Sequence, residues 1–171
     1  MTPPPAKGAR RLTRLALLTA IALTIFLVEA QLPPLTVVPG IKLGLANIVT
    51  VYAMFTLGPG DALLILCARV FLGAVFSGQM MTLIYSAAGG LLSWCVLLLL
   101  RRLLTREQIW LCSPVAGVFH NLGQLLAAAG VMKTWAVLAY LPYLVPAGIL
   151  AGLFTGLCAQ FLMARLDKLR P

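Results

Sequence analysis

The sequence predicts an all-α membrane protein, a bundle of six transmembrane helices with both termini cytoplasmic. Three observations predict it. Of the 171 residues, 61% are hydrophobic and only 10% charged, with a mean hydropathy of +1.01; a soluble domain usually carries about a quarter charged residues. The apolar residues gather into six stretches, approximately 12–30, 42–58, 60–76, 80–100, 110–131 and 144–164, most of them near the roughly 20 residues that cross hydrocarbon. The basic residues gather at the ends of those stretches, most of them on one side.

The first stretch follows Lys7, Arg10, Arg11 and Arg14, and Pro33 and Pro34 end its helix, because proline lacks the N–H a helix needs. Its basic start and Val28-Glu29-Ala30 also fit a cleaved signal peptide. The length of the run and its small-residue stripe favour a retained span. A long outer loop, 31–41, carries Pro33, Pro34, Pro39 and Gly40 and leads to the second stretch, headed by Lys42. Gly58-Pro59-Gly60-Asp61 is a tight inner turn, and Ser77-Gly78 turns the chain on the outer side between the third and fourth stretches. Arg101, Arg102 and Arg106 separate the fourth from the fifth. Pro142 and Pro146 break the chain before or inside the sixth, so that 135–143, with Trp135, Tyr140 and Tyr143, suits the aromatic belt of the interface. Arg165, Lys168 and Arg170 follow.

Ten of the thirteen basic residues therefore fall on one side of the six-span arrangement. That is the positive-inside pattern. The net charge of +9 is thus topological, and nucleic-acid binding is excluded as a reading. Cys67, Cys95, Cys112 and Cys158 are scattered within apolar stretches without paired spacing, so they read as small packing residues rather than metal ligands. The organisation is one transmembrane domain, 12–166, with a disordered cytoplasmic tail expected at 1–11 and a short one at 167–171. No cofactor is implied.

Two helix faces carry small residues every four positions. Ala16, Ala20 and Thr24 do so on the first span, toward its cytoplasmic half; Gly148, Gly152 and Gly156 do so on the last. In lipid, small residues matter by letting backbones approach. The glycine stripe reads as packing inside the bundle. The alanine stripe reads equally as packing or as a surface on which a coupling subunit docks.

Ionisable and amide groups within spans are costly and usually face the interior or water. Arg69 lies near the middle of the third span, Lys42 at the outer end of the second, and Asn47 one to two turns deeper. His120, Asn121 and Gln124 share the fifth span, where His120 and Gln124 stand four residues apart on one face. Gln79, Tyr85 and Ser86 belong to the outer end of the fourth span and Glu29 to that of the first. Nearly all of these fall in the outer half, and the inner half reads as drier. A polar cavity opening outward is expected, lined by Lys42, Asn47, Arg69, Gln79, Tyr85, His120, Asn121 and Gln124. Its cations outnumber its one acid, which favours an anionic guest such as a carboxylate or phosphate. A buried Glu29–Arg69 or Glu29–Lys42 pair is the competing account.

Pro39-Gly40-Ile41-Lys42-Leu43-Gly44-Leu45-Ala46-Asn47-Ile48 resembles a signature of the Gx transporter family, also labelled heptaprenyl diphosphate synthase component I. Arg69-Val70-Phe71-Leu72-Gly73 with Phe76-Ser77-Gly78, the block from Tyr85 to Ser93, and His120-Asn121-Leu122-Gly123-Gln124-Leu125 resemble the same family. These blocks cover spans two to five. The family in turn is similar to the S components of energy-coupling factor transporters, six-helix bundles that capture vitamins or similar micronutrients. That similarity implies a docking AxxxA motif, matched here by Ala16 and Ala20. It also implies a coupling transmembrane protein with ATPase subunits as partners, and a lid formed by the first outer loop.

The synthase label implies another class. Prenyl condensation uses clustered aspartates to hold magnesium and diphosphate, whereas Asp61 and Asp167 are far apart and there is no GxxxxGK[ST] loop. The expectation is a non-enzymatic, multi-pass protein of the cytoplasmic membrane that binds a small molecule. The alternatives are a non-catalytic membrane subunit for polyprenyl diphosphate synthesis and a small stand-alone carrier.

Overall fold

A computed structural model describes residues 7–31, 42, 44–104 and 108–168. Residues 2–5, the loop carrying Pro33, Pro34, Pro39 and Gly40, and Arg106 and Arg170 lie outside the described residues.

Local sequence sets most helix ends. Helix α1 (Lys7–Glu29) is built from leucine, alanine and threonine without an internal proline, and begins at Lys7 rather than Leu12. The turn at Gly58 takes φ +115°, a conformation open to glycine. Pro59 then occupies the first turn of α3 (Pro59–Ser77), where a missing N–H costs nothing. Gly78, left-handed at φ +66°, closes α3 and leads straight into α4 (Met80–Leu100). Helix α5 (Ile109–Met132) tolerates Pro114 near its start. A 3₁₀ segment, Trp135–Tyr140, leads without a break into α6 (Leu141–Lys168), which carries Pro146 internally. Trp135 and Tyr143 are exposed beside it, as an interfacial belt requires.

The second stretch departs from its expected form. Helix α2 covers only Asn47–Thr56, about 15 Å at 1.5 Å per residue, half of a hydrocarbon core. Among the described residues five helices, not six, are long and apolar enough to cross by themselves. Residue 42 and residues 44–46 approach α2 in non-helical form. Irregular backbone at membrane depth is tolerated only where protein encloses it, and α2 packs against α1, α3, α4 and α6.

Around α2, the pairs α1–α3, α3–α4, α4–α5 and α5–α6 form a continuous wall. The glycine stripe of α6 belongs to its tightest seam. A Cβ on Gly152 would stand 2.5 Å from the Ser113 carbonyl oxygen and the Pro114 Cα, and one on Gly148 would meet the Gly117 backbone at 3.0 Å. Ala16, Ala20 and Thr24 face the other way, exposed on α1.

The bundle is apolar outside and polar within. Phe71, Leu99, Leu150, Phe154 and Phe161 are exposed, while Arg69, His120, Asn121 and Gln124 are buried. Alternation of helix direction collects Arg10, Arg11, Arg14, Arg101, Arg102, Arg165 and Lys168 at one end. Glu29, Gly78 and Lys133 mark the other.

Candidate functional site

The polar side chains of five elements meet within the half of the bundle that carries Glu29. Gly44, at φ +81°, sits at the centre. A Cβ there would fall 2.8 Å from the His120 ring and 2.9 Å from Asn47 Nδ2, so only glycine lets these groups close around it. The Glu29 carboxylate fixes this backbone: Oε1 accepts from the Gly44 N–H at 2.6 Å and Oε2 from the Leu45 N–H at 2.9 Å. The acid is thereby committed to backbone. Among the described residues the one ion pair within 4.0 Å is Arg11–Asp61, so neither Glu29–Arg69 nor Glu29–Lys42 is in direct contact.

Arg69, 2% exposed on α3, donates from Nη2 to Asn47 Oδ1 at 3.3 Å, while its Nε has no partner. The ring of Phe26, on α1, meets both cations, 3.7 Å from Lys42 Nζ and 5.9 Å from the Arg69 guanidinium carbon. Such faces attract cations through the ring quadrupole. Gly73 on α3 makes room for that ring, since a Cβ would lie 2.6 Å from it. Lys42 Nζ is buried and makes no hydrogen bond.

The amides of α5 complete the ring of contacts. The Lys42 backbone N–H donates to Gln124 Oε1 at 3.1 Å. A backbone N–H can only donate, so that contact orients the amide and leaves Gln124 Nε2 facing His120 Nε2 at 3.0 Å. The amide NH₂ is a donor; His120 Nε2 must therefore accept, and the ring proton resides on Nδ1. The Gly89 backbone is close enough to that ring to interact with it, but Nδ1 has no partner in full hydrogen-bond geometry. Asn121 donates from Nδ2 to the Leu144 carbonyl at 2.8 Å, and its Oδ1 is unpartnered. Buried polar atoms without partners are uncommon in folded proteins. Among the described residues Lys42 Nζ, Arg69 Nε, His120 Nδ1 and Asn121 Oδ1 are four of five such atoms, with Thr50 Oγ1 the fifth.

The structure thus brings together Lys42, Asn47, Arg69, His120 and Gln124, with Asn121 on the same turn of α5 as His120. It does not bring in Gln79 or Tyr85. Gln79 is exposed ahead of α4 and accepts from Thr82 Oγ1 at 3.1 Å. Tyr85 packs with Leu125, Ala128, Val137 and Leu144 in an apolar cluster. Phe26 and Gly44 are contributors that polarity alone does not reveal. Below Gly44 and Asn47 a water-sized hollow of about 10 Å³ reaches Ser93, Ser113 and Thr155, where Ser113 Oγ and Thr155 Oγ1 are 3.0 Å apart. The half expected to be dry therefore holds a chain of hydroxyls. Hydroxyls are cheap to bury when bonded to backbone, as Thr155 is to the Gly152 carbonyl, which is why they carry little signal in a sequence.

Fold and site together define a multi-pass helical membrane protein with a cationic, amide-rich cluster in its interior. The chain belongs to the heptaprenyl diphosphate synthase component I family, whose sequence profile matches residues 18–162. That span runs from α1 into α6 and includes every residue of the cluster. No curated protein and no solved structure matches the chain.

Proposed function

We propose that the protein is the substrate-binding subunit of a small-molecule uptake transporter in the cytoplasmic membrane. In this reading it resembles an S component and captures an anionic micronutrient or precursor from outside. The observation that carries this reading is the trio of buried donors without acceptors, Lys42 Nζ, Arg69 Nε and His120 Nδ1. A buried donor left unsatisfied costs about 1–3 kcal/mol. A carboxylate or phosphate among them supplies the missing acceptors. Lys42 and Arg69 against Glu29 leave one positive charge for the guest to neutralise.

The Glu29 end faces outward in this reading, since the basic residues collect at the opposite end. The first outer loop closes over the substrate, and Lys42, Asn47, Arg69, His120, Asn121 and Gln124 hold it. A coupling transmembrane protein with ATPase subunits then docks on Ala16, Ala20 and Thr24, whose exposure on α1 supports the assignment. The chain itself performs no chemistry. The family's label favours a second reading, a non-catalytic membrane subunit associated with heptaprenyl diphosphate synthesis, in which the same cluster meets a diphosphate. A stand-alone carrier driven by an ion gradient is the rival within transport.

The test is purification in mild detergent and identification of any co-purifying small molecule by mass spectrometry, alongside the Arg69→Ala variant. An anion present in the parent protein and lost from the variant is the expected result. Uptake that persists without any ATPase subunit overturns the coupled mechanism. A deletion that alters quinone chain synthesis while nutrient uptake stays normal selects the synthase reading.

A further inference from the structure

A second charged feature lies at the opposite end of the bundle, and the transport reading does not use it. Arg10, Arg11 and Arg14 stand on the first turns of α1, and Asp61 opens α3 beside them. With Leu57 they line a recess of about 290 Å³, at the lower edge of ligand-pocket sizes. Asp61 Oδ1 accepts from Arg11 Nε at 3.0 Å and from Arg11 Nη2 at 2.5 Å. The carboxylate thereby pins the start of α1 to α3 and neutralises one guanidinium. The recess keeps two positive charges in excess, on Arg10 and Arg14, both exposed.

Depth selects the ligand. The apolar run of α1 begins at Leu12 and Leu15, so these arginines stand where hydrocarbon gives way to head groups. Leu57 adds an apolar wall to the same recess. A guanidinium fork pairs with phosphate oxygens two at a time, and basic side chains at a membrane surface are each attracted to anionic lipid. We infer that the recess lined by Arg10, Arg11, Arg14, Leu57 and Asp61 binds the phosphate of an anionic lipid head group.

The full-length protein, reconstituted in nanodiscs of phosphatidylglycerol or of phosphatidylcholine and then released gently, reports the lipid retained by native mass spectrometry. Phosphatidylglycerol is expected to be retained preferentially. The double variant Arg10→Gln/Arg14→Gln loses that preference by roughly 25-fold, about fivefold per arginine. Asp61→Asn, which removes the competing negative charge, keeps or strengthens it, and Lys133→Gln at the other end leaves it unchanged. Equal retention of the two lipids, or a double variant that still prefers phosphatidylglycerol, overturns the proposal. Displacement of the lipid by millimolar inorganic phosphate assigns the recess to a soluble phosphate and overturns the lipid.

Discussion

Lys42 and Phe26 face each other across the α1–α2 junction, the ammonium 3.7 Å from the ring centroid and without a hydrogen-bond acceptor. An aromatic face softens the burial of a cation but offers no lone pair. The ammonium therefore keeps three unused donors beside Arg69, which shares the same ring.

Arg69→Ala removes the guanidinium and frees Asn47 Oδ1. Hydrogen bonds to charged groups contribute about 1.5–3 kcal/mol, so retention of an anionic ligand is expected to fall roughly 10- to 100-fold. Ligand content by mass spectrometry checks it, with size-exclusion profiles verifying the fold. Unchanged retention removes Arg69 from the site.

Gln124 determines the tautomer of His120. The chain contains a single histidine, so ¹⁵N-histidine labelling gives one imidazole to observe. The parent protein is expected to show a protonated Nδ1 and a bare Nε2. Gln124→Leu removes the donor to Nε2 and is expected to shift the tautomer ratio toward protonated Nε2. An Nε2–H form in the parent refutes the orientation of the amide.

Gly44→Ala places a methyl group 2.8 Å from the imidazole in a left-handed backbone. Strain of that kind costs of order 1–3 kcal/mol. A lower thermal midpoint and loss of ligand together are the expected outcome. A variant with parental stability and binding contradicts the close approach.

The two small-residue stripes are expected to respond oppositely to bulk. Gly152→Val drives a side chain into the Ser113 and Pro114 backbone, and overpacking typically costs about 1–3 kcal/mol; the monodisperse yield should drop. Ala20→Leu points outward and should leave the isolated protein as stable as the parent while abolishing coupled transport. Substrate binding that is also lost in Ala20→Leu counts against a docking role.

The long helices were legible because periodicity, turn glycines and prolines are local signals. Gly58-Pro59 and Ser77-Gly78 turn where their chemistry requires. The second stretch misled because Leu43, Leu45, Ala46 and Ile48 read as one apolar run with α2. Hydropathy records that residues leave water, but not whether lipid or protein receives them. Glu29 makes the difference, accepting the Gly44 and Leu45 N–H groups while Gly44 holds a left-handed φ of +81° that a helix does not contain. Gln79 and Tyr85 had the right polarity and depth, yet Gln79 is exposed and engaged by Thr82, and Tyr85 packs in an apolar cluster.

Composition and the placement of charge determined by themselves that this chain is a membrane-embedded helical bundle, because desolvation acts on each residue wherever its neighbours are. Tertiary structure alone decided which polar groups share one interior. Arg69, Asn47, His120 and Gln124 come from three helices, and a hydrogen bond needs ångström-scale distance and direction that no single helix encodes. The same contacts decided the competing account of a Glu29 ion pair: the carboxylate clamps backbone, and neither Lys42 nor Arg69 stands within 4.0 Å of it.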